Sequence, residues 1–483
     1  MGILNAPPRG VTVRMYRQGL GDCFLLAFPT DDPAHSFYML IDCGVITGHK
    51  STAPDGTPRG PSLSQVAADI RDSTGGRIDA LVLTHEHWDH VGAFHPSQAL
   101  DLFKQMAIER VWLAWTEDPN DAQAAQLKEQ IKQTRLSLAA ALQAAANPEA
   151  VQAIQNVMLF FGATGSGDTA EAMQAGSALG KQPPNYLDPE KNTAPLALPG
   201  VSGARVYVLA PPRDPAKLKR VNPRQGEAYP ATPQAHSGPS LAQAFLLAAR
   251  RDLSAATVEE KELRNATLPF ADQLCIPWDQ ARSDPFFRAH YFEADGQDWR
   301  RIDDDWLGAG EQLAIALDNY TNNTSLVLAI ELVPSGKVLL FPGDAQVGSW
   351  LSWGDRAWTV VDGDAAREVK VADLLARTVL YKVGHHGSSN ASLKDFVDQM
   401  TRPDLVGMVP VNHDDALAMR WNDMPWPPLL AHLSETDAQG NAIRGVIRMD
   451  VEPAPRPVGV DEKQWAAAVE ETELYVQYVV DAG

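Results

Sequence analysis

Cysteine is nearly absent from this chain, with only Cys23, Cys43 and Cys275 among 483 residues. Three scattered thiols exclude a disulfide framework and a cysteine-held zinc site, and they read as reduced core residues. Apolar runs long enough to span a bilayer are missing as well, so no membrane partner is expected. The opening residues 1–9 lack the charged stretch and apolar core of a secretory leader, which predicts a cytoplasmic address. Basic residues are in deficit: 41 Lys plus Arg stand against 61 Asp plus Glu, a formal charge of -20. Such a surface opposes nonspecific adhesion to polyanions and counts against a general duplex-DNA binder, and no nucleic-acid-binding module is evident. Phosphodiester chemistry stays open, because metal ions invert the potential inside a site.

What the chain does have is one dense group of metal-type side chains. The run Thr84-His85-Glu86-His87-Trp88-Asp89-His90 follows directly on the apolar segment 78–83. A β-type segment delivers the turn after it to a sheet edge, where side chains can converge. His85 and His87, two apart, then point to one side, and Asp89 and His90 come round the bend within reach of a second ion. Imidazole and carboxylate suit zinc first, and also manganese or iron. Neutral histidine and ionised aspartate supply the deprotonated groups that ligation needs at neutral pH.

Short apolar runs between turn signals predict strands over 11–16, 23–28, 37–42, 78–83 and 111–115, with helices over 63–73 and 96–107. Composition then shifts to Ala, Gln and Leu. Leu127, Ile131, Leu138 and Leu142 keep helical spacing until Asn147-Pro148 stops the helix. The segment 116–200 therefore reads as a helical insertion, and strand character returns over 203–212. A second insertion, 213–318, is Pro- and Gly-rich, then helical over 241–251, then irregular with Trp278, Phe286, Phe287, Trp299 and Trp306. Insertions of this size usually cover or shape a site, and a protein partner or a homo-oligomer through them is compatible with the sequence. Strands return over 326–333, 337–341, 378–383 and 405–411, followed by a helix over 427–433. The extension 446–483 carries a closing strand over 474–480.

Two of these later strands also end on metal-type residues, Asp344 after the first and the pair His385-His386 after the second. Three such ends ask for a common centre. A carboxylate at Asp344 can bridge two ions, one of the paired histidines can complete the second ion's shell, and the other is left for substrate.

With these residues in view the chain resembles the metallo-β-lactamase superfamily, most closely the soluble relatives of ComEC-type DNA-uptake hydrolase domains. The resembling stretches are Gly19-Leu20-Gly21-Asp22, Leu40-Ile41-Asp42-Cys43-Gly44, His85 to His90, Asn323-Thr324-Ser325-Leu326-Val327-Leu328, Phe341-Pro342-Gly343-Asp344 and Lys382-Val383-Gly384-His385-His386-Gly387-Ser388. The resemblance implies one α/β domain over 1–483, an αββα sandwich with large, partly helical insertions, holding two zinc ions at one edge of the sheets. It implies His85 and His87 on the first ion, Asp89, His90 and His386 on the second, and Asp344 between them. Asp22 and Asp42 are expected as supports behind the ligands, Asn323 as a substrate contact or turn-holder, and Ser388 as a substrate contact. His385 is expected to contact a phosphoryl oxygen or to protonate the leaving group.

The sequence departs from the family pattern at three points. The loop 321–324 reads Thr-Asn-Asn-Thr where many members carry a further ligand histidine, Gln346 stands in place of an acid, and Trp426 in place of a histidine. The expected activity is hydrolysis of a phosphodiester or phosphoester, nucleotide-type substrates included, by a hydroxide activated on the zinc pair and oriented by Asp89. Hydrolysis of a lactam, lactone or thioester is the alternative, and a non-catalytic metal-stabilised interaction protein is another, because fold does not settle chemistry.

Overall fold

The structure is a computed structural model, and it describes residues 2–46, 60–144, 155, 158–161, 168–220, 223, 227, 276, 278–293, 317, 320–362, 365–419, 421, 423–435, 437–439 and 443–482. The chain divides into two compact units. The first comprises Met1–Leu127, Leu159–Gln234 and Asn319–Gly483, the second Lys128–Met158 and Ala235–Asp318. The helix expected over 241–251, Trp299, Trp306 and Cys275 lie outside the described residues. The helix Ala122–Ala144 carries the expected helical spacing of the first insertion, and from Lys128 on it belongs to the second unit. The other described elements of that unit are short: Trp278–Ser283, Pro285–Phe287 and Arg288–Phe292. Asp284 starts the second of these by accepting from the Phe286 and Phe287 amides.

The first unit is built on two large sheets. One has eight strands in the order Val469–Glu471, Tyr475–Asp481, Gly10–Tyr16, Phe24–Pro29, Ser36–Ile41, Ala80–Leu83, Val111–Ala114 and Asn185–Leu187. The other has seven, in the order Gly445–Arg448, Val406–Val409, Thr378–Lys382, Lys337–Phe341, Val327–Leu332, Val201–Ala210 and Leu196–Leu198. The period-2 alternation of a strand explains the layering. Val11, Val13 and Met15 join one core with Phe24, Leu26, Val206, Leu328, Ile330, Leu339 and Phe341, so the sheets pack face to face. Phe24 and Phe341 meet edge to face across that interface at 5.7 Å, and each such buried side chain contributes about 1.5–3 kcal/mol.

The intervening residues of the first sheet point the other way. Tyr16, Leu25, Leu40, Leu81 and Leu83 form a second core with Val66, Ala67 and Ile70 of the helix Leu63–Thr74. Arg14 and Tyr16 both reach buried Asp69 on that helix, at 2.7 and 2.8 Å. Ser62 and Gln65 form a capping box at its start. On the outer face of the second sheet, Trp350 and Trp353 stack at 4.2 Å, and Tyr381 and Phe396 pack on Trp350. Helix, sheet, sheet and helix thus give the expected αββα sandwich.

Several segments differ from the sequence expectation. Of the helix expected over 96–107 only Leu100–Phe103 is helical, because His95 and Ser97 bond to each other before it and Ala107–Ile108 pairs in parallel with Arg77–Ile78 after it. Inside 116–200, Asn185–Leu187 and Leu196–Leu198 join the two sheets. The closing strand Tyr475–Asp481 lies inside its sheet, paired with both Gly10–Tyr16 and Val469–Glu471. Among the described residues no helix is long and apolar enough to cross a membrane.

Ser36–Ile41, Ala80–Leu83 and Val111–Ala114 run parallel, as do Lys337–Phe341, Thr378–Lys382 and Val406–Val409. Their carboxyl ends carry Asp42, the run from His85 to His90, Asp344 and the His385-His386 pair. Open α/β sheets build their sites outside such strand ends.

Candidate metal centre

Three backbone segments meet here at close range. The amide of Asp22 donates to the Asp89 carbonyl at 2.9 Å, and that of Cys43 to the His90 carbonyl at 2.7 Å. Gly44 permits the approach, since a Cβ at this position would lie 2.3 Å from the Asp89 carbonyl carbon and 2.5 Å from the His90 nitrogen. Asp42, His385 and His386 hold positive φ of 55°, 44° and 52°, a conformation that costs non-glycine residues on the order of 1–3 kcal/mol each. All three positions lie just beyond the carboxyl ends of strands, Ser36–Ile41 for Asp42 and Thr378–Lys382 for the two histidines.

His85, His87, Asp89, His90, Asp344 and His386 are all fully buried, and they form one contiguous cluster. The His85 ring centroid lies 4.7 Å from that of His87 and 4.2 Å from that of His90, and His90 lies 5.9 Å from His386. Nε2 of His90 is 3.0 Å from Oδ2 of Asp344 and 3.6 Å from Oδ2 of Asp89, while Nε2 of His386 is 2.8 Å from Asp89 Oδ2 and 3.6 Å from Asp344 Oδ2. Asp89 and Asp344 therefore both face the Nε2 side of both rings.

The opposite nitrogens are anchored. His90 Nδ1 lies 2.8 Å from Asp42 Oδ2, and His386 Nδ1 lies 2.8 Å from the Pro410 carbonyl. An Nδ1–H donated to oxygen leaves the Nε2 lone pair for a metal. Asp42 also accepts from the Thr84 amide at 2.8 Å and from its hydroxyl at 2.6 Å. With its proton on Asp42, the Thr84 hydroxyl takes the Nδ1–H of His85 at 3.1 Å, and His85 Nε2 faces His87 Nδ1 at 3.0 Å.

Charge follows the same division. Burial, with His90 and His87 adding to it, holds His85 well below its ordinary value, and burial pushes His87 down to about 3. Burial would lower His90 too, but Asp344, Asp89, Asp22 and Asp42 hold it well above the usual range, and Asp344 with Asp89 does the same more mildly for His386. Burial alone would raise Asp344, yet His90, Lys382 and His386 bring it well below its ordinary value.

Whether these residues suit a metal is decided by atoms left over. Asp89 Oδ1, His90 Nε2 and Asp344 Oδ2 are buried without a hydrogen-bond partner, and the last two sit 3.0 Å apart aimed at a shared point. Buried acceptors in this arrangement call for a cation. One ligand atom each from Asp22, His90, Asp344 and His386 lies within 4.8 Å of the others, a spacing open to an ion. The donor set of imidazole and carboxylate fits zinc, manganese or iron.

The metallo-beta-lactamase superfamily model matches residues 21–134. The superfamily likeness is thus shown for residues 21–134. No curated protein matches the chain. Members of this superfamily are generally hydrolases, and the matched segment holds Asp22, Asp42 and the run from His85 to His90. Asp344 and His386 come from the second sheet, beyond the match.

The remaining expected site residues divide sharply. His385 is 6% exposed; Gln346 Nε2 and Ser388 Oγ reach its Nδ1 at 3.1 and 2.8 Å, and the Asn322 amide lies 3.4 Å from its Nε2. Ser388 also donates to Asn390 at 2.8 Å. Asn323 is buried with its amide committed to backbone: Nδ2 donates to the Leu218 and Arg220 carbonyls at 3.1 and 2.9 Å, and Oδ1 accepts from the Gln346 and Ser349 amides at 3.1 and 3.2 Å. Its side chain holds a turn, and its neighbour Asn322 is the one that reaches His385. Trp426 donates its backbone N–H to the Gly387 carbonyl at 2.8 Å.

Sequence reading passed over three contributors. Lys382 is buried against Asp22 and Asp344, although it lies within a motif already quoted. Phe160 and Phe161 pack on the His87 ring at 5.4 and 4.9 Å, and Phe160 stacks on Trp421 at 5.1 Å. No local signal marks these aromatics, because they come from a segment read only as insertion.

Proposed function

We propose that this protein is a metal-dependent hydrolase acting on phosphodiesters or phosphoesters, with two divalent ions, zinc foremost, in the cluster. The observation that carries the hydrolase reading is the set of partnerless buried atoms, Asp89 Oδ1, His90 Nε2 and Asp344 Oδ2, within one group of histidines and carboxylates. His85 and His87 would hold the first ion, Asp89, His90 and His386 the second, and Asp344 both. A bound pair of such ions supplies Lewis acidity and lowers the pKa of water towards about 7.

The chain's own groups do the rest. Asp89 has Oδ2 2.8 Å from His386 Nε2 and keeps Oδ1 to accept a hydrogen bond from the attacking water and orient it. His385 is pushed down to about 4, chiefly by burial. It is thus uncharged at neutral pH and contributes a hydrogen bond rather than a proton. Gln346 and Ser388 hold Nδ1 and the Asn322 amide meets Nε2, which fixes the ring at the edge of the cluster where it would contact substrate. Phe160 and Phe161 shield the His87 ring from water, which strengthens every charge interaction around it. The phosphoester assignment is supported by the ComEC-like stretches Phe341 to Asp344 and Lys382 to Ser388.

The test is a substrate panel on metal-loaded protein and its Asp89→Ala variant: a bis-aryl phosphate, single-stranded nucleic acid, a cyclic dinucleotide, a lactam, a lactone and a thioester. Turnover of the phosphate compounds by the parent, lost in the variant, is the expected result. Turnover confined to the lactam, lactone or thioester would remove the phosphoester reading. No turnover of any compound with metal fully loaded would remove the hydrolase reading.

A further inference from the structure

Lys382 is 1% exposed and its ammonium has three close acceptors: Asp22 Oδ2 at 2.5 Å, the Gly343 carbonyl at 2.8 Å and Asp344 Oδ1 at 3.1 Å. An ammonium has three N–H donors, so each is used once, and a buried lysine that is fully paired in this way stays charged. The two carboxylates it joins lie on opposite sides of the histidines. Asp344 and Asp89 face the Nε2 side of His90 and His386, whereas the nearest imidazole atoms to Asp22 are the Nδ1 of His90 at 3.8 Å and the Nδ1 of His386 at 3.6 Å. These are the nitrogens already bonded to Asp42 and the Pro410 carbonyl. An ion on the Nε2 lone pairs therefore has Asp22 behind the rings, even though its oxygens fall within the same 4.8 Å group. Asp344 is held at one oxygen only. Its Oδ1 takes Lys382 and the His385 amide at 3.1 Å, and its Oδ2 is left open.

Resting on the reading of this cluster as a metal centre, we propose that Lys382 is a positioning residue that makes Asp344 a one-oxygen ligand, and that Asp22 is the counter-charge of Lys382 and not a ligand. Losing the ammonium frees Asp344 Oδ1 to turn onto the ion, so that Asp344 chelates with both oxygens. Losing Asp22 leaves every ligand atom in place. Lys382 thereby sets the geometry that the ions adopt, through a carboxylate it shares with them.

Cobalt(II) absorption reads this directly, because the visible bands of the ion follow its coordination number and geometry. Full-length protein would be loaded with Co2+ alone, and the spectrum and stoichiometry compared for the parent, Asp22→Asn, Lys382→Met, Lys382→Arg and Asp344→Asn. The expected outcome is parental band positions in Asp22→Asn, weakened and shifted bands in Lys382→Met, and bands close to the parent in Lys382→Arg. Bands in Asp22→Asn altered as much as in Asp344→Asn would make Asp22 a ligand and overturn the proposal. Parental bands in a folded Lys382→Met would overturn it equally, and Asp22→Asn still decides if Lys382→Met does not fold. A parent protein that takes up no Co2+ would instead overturn the metal-centre reading, and the inference with it.

Discussion

Oδ2 of Asp42 lies 2.8 Å from Nδ1 of His90, and the same carboxylate takes both the amide and the hydroxyl of Thr84. One side chain thus fixes the ring of a candidate ligand and the strand end that carries His85. Asp42→Ala should lower metal affinity about 10–100-fold, the usual cost of removing such a support. Titration calorimetry with Zn2+ on parent and variant checks this, and unchanged affinity would mean that the contact is incidental.

The two groups of histidines should be separable by metal count. His85→Ala with His87→Ala is expected to remove one ion, and His90→Ala with His386→Ala the other, each leaving about one per chain where the parent holds about two. Elemental analysis of the purified proteins decides it. Loss of both ions from either pair would point to a single shared ion.

Stability of the metal-free protein should fall on acidification. His385, near 4 when folded, and His87, near 3, start from an unfolded value of about 6.5. Their folded values are depressed, so the stability they confer is full above about 6.5 and is lost as pH falls towards about 4 and then about 3. His90 and His386 are raised and act in the opposite sense, giving stability that is full below about 6.5 and lost as pH climbs through their folded values. His385→Gln should flatten the acid limb between about 6.5 and 4 in thermal melts of chelated protein. An identical limb in the variant would show that His385 is already protonated when folded.

Gly44→Ala should be costly. Its new Cβ would press on Asp89 and His90 backbone at 2.3 and 2.5 Å, with the Trp88 carbonyl oxygen also at 2.5 Å, and backbone cannot swing aside as a side chain can. A loss of at least about 1–3 kcal/mol in urea denaturation is expected, together with weaker metal binding. A neutral substitution would mean that the Asp42–Gly44 loop is not seated against the Asp89 turn.

Much of this was legible in the chain because it depends on short-range pattern. Alternation in residues 11–16 fixes which side chains enter the core between the sheets, and polar residues at strand ends have to emerge at an edge. His85, His87, Asp89 and His90 are close in sequence, so local geometry alone brings them together. Asp344 and His386 were found the same way, each at a strand end. The legibility ran out where one side chain chooses between two neighbours: of the adjacent amides, Asn323 spends its hydrogen bonds on backbone and Asn322 turns to His385. Spacing cannot tell these apart, because both lie in one turn and differ only in which way the backbone presents them.

By itself, then, the sequence determined an αββα sandwich and the donor atoms of its edge, since periodicity and residue chemistry are local properties. Tertiary structure decided which nitrogen of His90 and His386 is turned to Asp89 and Asp344, that Phe160 from a distant segment covers His87, and that Lys382 ties Asp22 to Asp344. Those choices are made by packing and by the demand that every buried charge find a partner, and both are settled only when the two sheets meet.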